Sequence, residues 1–512
     1  MTTSRRDVLL QGCAIGAGFI AANMTGLEAW AQAAPAAAPK LRRSLHGMPL
    51  NDPILQTWRD GVRLLKAANG NVSWASFAAI HGNQDNFNLC PHGNWYFLPW
   101  HRAYLLMYER AVRKLTGNDD FALPYWDWTL DRRMPQAYTE KTVGGQPNPL
   151  FEAQRDATPT DALPDSTVGQ AITNQILTES PFETFGTSRP DGQNNLDQSW
   201  INCEGCGNSG TLEATPHNLV HNFVGGIMAS SASSLDPIFF GHHGNIDRIW
   251  WLWAQNGTNS TDPLWRDMTF QNNYFNPDGT QSSPKVTDLL QPEPLGYTYV
   301  QTPVATVVLT QSVALSLQAD KFTSLYTSPR GAAKPAGIAS YTAEVTQPAA
   351  TAAKYLEVAV DVDTDKLAPV VARQSLPSGL ETLSLNAARE NYLSGARCYA
   401  FLRDFDVEKN VNTEYRVFLN ADDLKADTPT TNPHYVGSFG FFGAGGHAHA
   451  GQAPKKPSIG VDLTAAIQRL YGSAGIPSGK LRLQIQPVAL RAGANADGSA
   501  RPRTVEVAIV SA

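Results

Sequence analysis

Seven of the chain's eleven histidines fall into two clusters, and this arrangement limits what the chain can fold into more than any other feature. His81, His92 and His101 form the first cluster. His217, His221 and the neighbours His242 and His243 form the second. A lone histidine is ordinarily a satisfied polar residue, but six or seven at compatible spacings, with few carboxylates among them, point to metal. The run His217-Asn218-Leu219-Val220-His221 has i, i+4 spacing, so a helix would project both imidazoles from one face. His101 opens an amphipathic stretch to Leu115, which predicts an inward-facing ring. His242 and His243 are about 100° apart on a helix, so only one of them can share a metal with His217 and His221. Imidazole-only shells suit copper, zinc, iron or nickel. Hydrolytic zinc would want a general-base glutamate beside its ligands. A non-haem iron triad would want a carboxylate, and Asp85 is the one close candidate. Two separate three-histidine clusters on a helical scaffold favour two copper ions facing each other.

The remaining composition narrows the setting. A length of 512 residues allows two or three domains, and 42% hydrophobic residues allow a sizeable core. A net charge of -6 argues against nucleic acid or an anionic membrane as partner. Ser4-Arg5-Arg6-Asp7-Val8-Leu9-Leu10 is a twin-arginine pattern, followed by an apolar stretch from Cys13 to Ala22 and a small-residue cleavage signal at Ala31-Gln32-Ala33. Residues 1–33 are therefore predicted to be a signal peptide that exports a folded protein to the periplasm or beyond. The apolar stretch is too short and glycine-rich for a membrane helix, so the mature form is expected to have no membrane partner. Cys203 and Cys206 form a C-x-x-C pair, open to a disulfide, to plain thiols or to capture of copper during loading. Cys90 and Cys398 are isolated.

Two regions differ in character. Residues 41–299 hold nearly all the tryptophan, with helical patterning over Ile54–Ala68, from His101 and from Asp236-Pro237 through Trp253. Residues 144–210 read as long loops with one or two short helices. After Tyr299, alternation at Leu356/Val358/Val360/Val362, Tyr415/Val417/Leu419, Leu481/Leu483/Ile485 and Val505/Val507/Ile509 predicts short antiparallel strands, as does the run Val304–Leu309. The alanine- and proline-rich stretch 330–353 reads as a loop or linker.

With these residues in view, the sequence resembles the tyrosinase, polyphenol oxidase and haemocyanin group of type-3 copper proteins. The resemblance rests on His81…Cys90-Pro91-His92-Gly93-Asn94-Trp95-Tyr96-Phe97-Leu98-Pro99-Trp100-His101-Arg102. It rests equally on His217-Asn218-Leu219-Val220-His221 with Asp236-Pro237-Ile238-Phe239-Phe240-Gly241-His242-His243-Gly244-Asn245-Ile246-Asp247-Arg248. It implies two copper ions, one held by His81, His92 and His101, the other by His217, His221 and His243, since the family uses the second histidine of such a pair. It also implies a mainly α catalytic domain over 41–299, a four-helix bundle with long loops closed by Tyr297-Thr298-Tyr299. An all-β, sandwich-like domain over 300–512 follows, similar to the region that shields the site in latent members. Leu123-Pro124-Tyr125-Trp126-Asp127-Trp128 is similar to a structural segment of the family. The Cys90-x-His92 spacing resembles members with a cysteine–histidine thioether.

The implied activity is oxidation of small phenols by dioxygen: ortho-hydroxylation of monophenols and conversion of o-diphenols to o-quinones. In related enzymes an acidic residue and an asparagine, here Glu213 and Asn218, hold a water that takes the phenolic proton. The small residues of Met228–Ser234 suggest open access to the second copper. A catechol-only oxidase, an o-aminophenol oxidase and a haemocyanin-like dioxygen carrier are the alternatives. His434, His447 and His449 are expected to be loop residues rather than ligands. The oligomeric state is not legible.

Overall fold

Asp52 starts the first long helix, Pro53–Ala67, by accepting the Ile54 N–H, while Pro53 sits where a missing N–H costs nothing. The structure, a computed structural model, describes residues 38–83, 87–203, 205–300, 321, 323–326, 333–351, 354–372, 395–408, 412–443, 456–472, 475, 478–496 and 498–511. The signal sequence, Asp85, the Val304–Leu309 run, His447 and His449 lie outside them.

Helices Trp74–His81, Phe97–Thr116, Asn218–Val224 and Ile238–Ala254 form the centre of the helical part, with Pro53–Ala67 packed against Phe97–Thr116. Gly61 permits that contact, because a Cβ there would lie 2.6 Å from Val112 Cγ1. The Phe97–Thr116 helix begins one turn before His101, the expected start. Pro99 is tolerated in this first turn, so the helix extends back to Phe97. Among the described residues between 144 and 210 there are three short α-helices rather than one or two, Asp165–Val168, Gln170–Thr178 and Phe182–Phe185, and a 3-10 turn at Gln198–Trp200.

One buried carboxylate locks the helices together. Asp247, one turn after His243, accepts from Arg102 Nε at 2.6 Å, Arg42 at 3.2 Å, Tyr297 at 2.7 Å and Tyr299 at 2.6 Å. Arg42 also reaches Glu109 at 2.8 Å. The Lys40–Arg42 strand pairs in parallel with Tyr297–Tyr299, so both ends of the helical region close on the same ion pair.

Beyond 333 the described residues form two packed sheets, beside a short pairing of Asp406–Val407 with Ala500–Arg501. One has four strands in the order Tyr435–Phe439, Thr413–Leu419, Lys480–Ala489 and Leu356–Asp361. The other has the order Asn208–Ser209, Ser458–Asp462, Arg397–Arg403, Thr504–Val510 and Ile338–Glu344. The alternating residues Leu356, Val358, Val360, Val417, Leu483, Ile485, Val505 and Val507 fill the core between the sheets. Three features depart from expectation. The region is not all β: helices Thr364–Val371, capped by Asp363, and Thr464–Tyr471 bury Leu367, Val370, Ala466 and Ile467 against the sheets. Ile338–Glu344 is an edge strand, not linker: its alanines and half-exposed faces hide a two-residue period, and its backbone pairs with Thr504–Val510. The second sheet is not purely antiparallel, because Asn208–Ser209 from the helical region joins it in parallel with Ser458–Ile459. No helix among the described residues is long and apolar enough to cross a membrane.

Candidate metal centre

Four helical segments and one loop deliver the histidines. His81 ends the Trp74–His81 helix, His101 sits in the second turn of its helix, and His92 comes from the loop between. Pro216 has no N–H to give, and the chain opens into a π turn over Glu213–His217 before continuing as Asn218–Val224. His217 and His221 straddle this junction with ring centroids 4.6 Å apart. His242 and His243 lie in Ile238–Ala254. Ligand-type atoms of His81, Cys90, His92 and His101 all lie within 4.8 Å of one another, and so do those of His217, His221, His242 and His243. The two groups face each other: His101 stacks on His243 at 4.3 Å and His92 on His217 at 5.5 Å.

The hydrogen bonds decide which ring nitrogens keep a lone pair. A carbonyl oxygen only accepts, so a ring nitrogen bonded to one must be N–H. His81 Nδ1 donates to Ser231 O at 2.7 Å, His101 Nδ1 to Phe97 O at 2.8 Å and His221 Nδ1 to Met228 O at 2.7 Å. Asn218 Nδ2 donates to Gly440 O at 2.8 Å, which fixes Asn218 Oδ1 as acceptor for His217 Nδ1 at 2.8 Å. All four rings therefore direct an unprotonated Nε2 inward, the tautomer that metal-ligating histidines take. Nε2 of His81 and of His217 is buried with no hydrogen-bond partner. His221 Nε2 and His243 Nε2 approach to 3.2 Å. Two metal–nitrogen bonds of about 2.0–2.1 Å at a near-tetrahedral angle put their nitrogens about 3.3 Å apart. His242 differs: its Nδ1 accepts from Trp128 Nε1 at 3.3 Å, so its Nε2 carries the proton and has no lone pair to give.

Burial holds the imidazoles neutral, the state in which they bind metal. It lowers His81 to about 4, and burial together with neighbouring histidines sets His92, His217, His221 and His243 well below their ordinary value. The donor set fits copper: imidazole nitrogens with one thiol, and no carboxylate in either group.

Glu213 and Asn218 both adjoin the second cluster. Glu213 accepts from the Gly93 N–H at 2.7 Å and from the Thr187 hydroxyl, and burial lifts its carboxyl to about 7. Cys90 Sγ lies 3.6 and 3.8 Å from the two ring nitrogens of His92 and 3.3 Å from His101 Nε2. Cys203 and Cys206 are joined as a disulfide. His434 is a loop residue whose Nδ1 bonds Leu419 O.

Access to the site departs from the sequence reading. The Met228–Ser234 loop is small, and the carbonyls of Met228 and Ser231 orient one histidine of each cluster. The space before the two histidine groups is taken by Phe442, which arrives from the β-rich region. Its ring lies 4.0 Å from His221, 5.0 Å from His92 and 5.4 Å from both His217 and Phe87. Phe441 packs into the sandwich core, while Phe442 belongs to the core of the helical region. A phenylalanine in Gly440-Phe441-Phe442-Gly443 carries no sequence signal for this placement. Nor does Asp247 within its helix, except that it follows His243 by one turn.

Residues 71–256 match the common central domain of tyrosinase. The tyrosinase HcTyr1 of Hahella sp. (strain CCB-MM4) is 29% identical over 293 residues, covering 49% of this chain and 61% of that protein. The chloroplastic polyphenol oxidase of Vitis vinifera is 28% identical over 276 residues, 46% of this chain and 42% of that one. The chain thus spans less than two thirds of either relative. Among solved structures, a latent aurone synthase (polyphenol oxidase) superposes with a TM-score of 0.62 at 18% identity over 94% of this chain and 91% of that one. Latent apple tyrosinase gives 0.61 at 19% identity over 93% and 98%. These likenesses show a shared fold, a helical core followed by a β-rich region.

Proposed function

From a chain whose residues 71–256 carry a tyrosinase-type central domain, we propose a type-3 copper oxidoreductase that uses dioxygen to oxidise small phenols. One observation carries this reading: in two facing histidine groups, His81, His101, His217 and His221 spend their Nδ1 protons on fixed acceptors, leaving Nε2 lone pairs turned inward. His81, His92 and His101 hold one copper, and His217, His221 and His243 the other. When bound, the copper pair supplies the activation of dioxygen.

The chain's own residues do the rest. Glu213, with a carboxyl poised at about 7, is matched to accept a phenolic proton near neutral pH. Asn218 orients His217 through Oδ1, which leaves its Nδ2 for a second partner, Gly440 O in the full chain. This pair supports ortho-hydroxylation of monophenols as well as oxidation of o-diphenols. The catechol-only reading draws on a different fact: both ends of the Asn218 amide and both Glu213 oxygens already have partners.

Residues 41–299 act as the catalytic domain and 300–512 as its shield, with Phe442 as the blocking side chain. The position of Cys90 supports a thioether to His92, which would fix that ring's orientation. The twin-arginine pattern supports export of the folded protein.

The test uses copper-loaded full-length protein in sub-micellar anionic detergent. Dioxygen consumption is followed with tyrosine, a catechol and an o-aminophenol. Turnover of tyrosine and catechol is expected. Turnover of catechol alone removes the proposed role of Glu213 and Asn218, and no turnover of any substrate favours a carrier. His243→Ala is expected to retain one copper and His242→Ala two; the reverse result assigns the ligand to His242.

A further inference from the structure

Phe442 reaches the metal site as a ring on a peptide, and the helical region reads the peptide as well as the ring. Gly440 N donates to Ala214 O at 2.7 Å. Gly440 O accepts from Asn218 Nδ2 and Phe441 O from Asn222 Nδ2, each at 2.8 Å. Thr215 Oγ1 donates to Ser438 O at 2.6 Å. Asn218 and Asn222 are one turn apart, so they share a side of the helix that also carries His221. The contacts address only main-chain atoms, which any peptide possesses. The position two before the ring is selective: a Cβ on Gly440 would lie 2.5 Å from Leu219 Cδ2, and Leu219 is fully buried. The intervening side chain, Phe441, turns away from the metals into the sandwich.

We propose that, when the β-rich region is displaced, this groove selects among peptides that carry a phenolic side chain, taking the form Gly-x-Tyr in preference to those with a larger residue in place of the glycine. The inference rests on the phenol-oxidising reading above and specifies its substrate. One peptidyl tyrosine and one dioxygen give one peptidyl o-quinone and one water. One oxygen atom joins the ring carbon ortho to the hydroxyl and the other leaves as water. The ring gives up four electrons, and its ortho and hydroxyl hydrogens leave in the water. A small phenol fills the place of the Phe442 ring but has no carbonyls for Asn218 and Asn222.

The experiment uses copper-loaded full-length protein opened with sub-micellar anionic detergent. It compares 4-methylcatechol, acetyl-Gly-Phe-Tyr-Gly-amide, acetyl-Leu-Phe-Tyr-Gly-amide and the same two peptides with 3,4-dihydroxyphenylalanine in place of tyrosine. The glycine peptides are expected to have kcat/KM about tenfold above the leucine peptides, as overpacking a filled site costs. Asn222→Ala is expected to lower kcat/KM for the glycine peptides about five- to tenfold, the worth of one hydrogen bond, and to leave 4-methylcatechol unchanged. On copper-free protein, acetyl-Gly-Phe-Phe-Gly-amide is expected to bind about tenfold more tightly than its leucine counterpart by the same steric argument. Turnover of 4-methylcatechol with no turnover of any peptide, or equal values for glycine and leucine peptides, overturns the proposal and leaves the phenol oxidase intact. No turnover even of 4-methylcatechol refutes the phenol oxidase itself.

Discussion

The Phe442 ring stands 4.0 Å from the His221 imidazole, tilted by 35°, although the two residues belong to different structural regions. A ring in that position competes with any aromatic substrate, so the full-length chain is expected to be latent. Phe442→Ala is expected to raise its activity without detergent by at least about tenfold, because the accessible fraction of sites limits apparent affinity. Copper content should not change. A variant as silent as the parent would mean that Phe442 is not the barrier.

Asp247 is the mechanical centre of the helical region. It ties Arg102, next to His101, to the helix that carries His243, and it holds Arg42, Tyr297 and Tyr299. Removing it leaves the buried Arg102 guanidinium without its carboxylate and Arg42 with Glu109 alone. Asp247→Ala is expected to cost about 3–5 kcal/mol in denaturant unfolding and to lower copper retention in dialysis. An unchanged unfolding midpoint would show that the pairs are dispensable.

Burial raises the Glu183 carboxyl to about 7 from an ordinary 4.5. Between these values the folded chain binds a proton that the unfolded chain has released. Stability from this group is therefore full below about 4.5, falls as pH rises to about 7 and stays reduced above. Glu183→Gln removes the dependence and is expected to shrink the stability gap between pH 5 and pH 8 by about 2–3 kcal/mol. Thermal melts at both pH values check it. An unaltered gap would show that Glu183 ionises normally.

The Cys203–Cys206 disulfide closes a loop that holds the backbone of His92. Gly205 N donates to His92 O at 2.8 Å and Gly207 N to Gly93 O at 2.7 Å. Replacing both cysteines by serine is expected to cost about 2 kcal/mol, the value for so short a loop. Copper at the His81, His92 and His101 cluster should also be held more weakly, as measured by competition with a chelator. Equal retention of both coppers would confine the disulfide to stability alone.

Local periodicity made part of this molecule readable. The i, i+4 spacing of His217 and His221 was enough to bring their rings together, and two-residue alternation marked the strands that fill the sandwich core. Where the pattern was blurred, reading failed. The alanines of Ile338–Glu344 concealed an edge strand, and Pro99 obscured a helix that starts at Phe97.

The sequence by itself determined which residue types cluster and on which local elements, because helix and strand periods act over a few neighbouring residues. Tertiary structure alone decided three things. Trp128 settled which nitrogen of His242 carries the proton, Asp247 gathered two arginines from distant segments, and the Tyr435–Phe439 edge strand of the four-stranded sheet carried Phe442 to His221. These contacts join residues far apart in the chain, where no local spacing records them. They exist because packing two hydrophobic cores against each other fixes which buried groups meet.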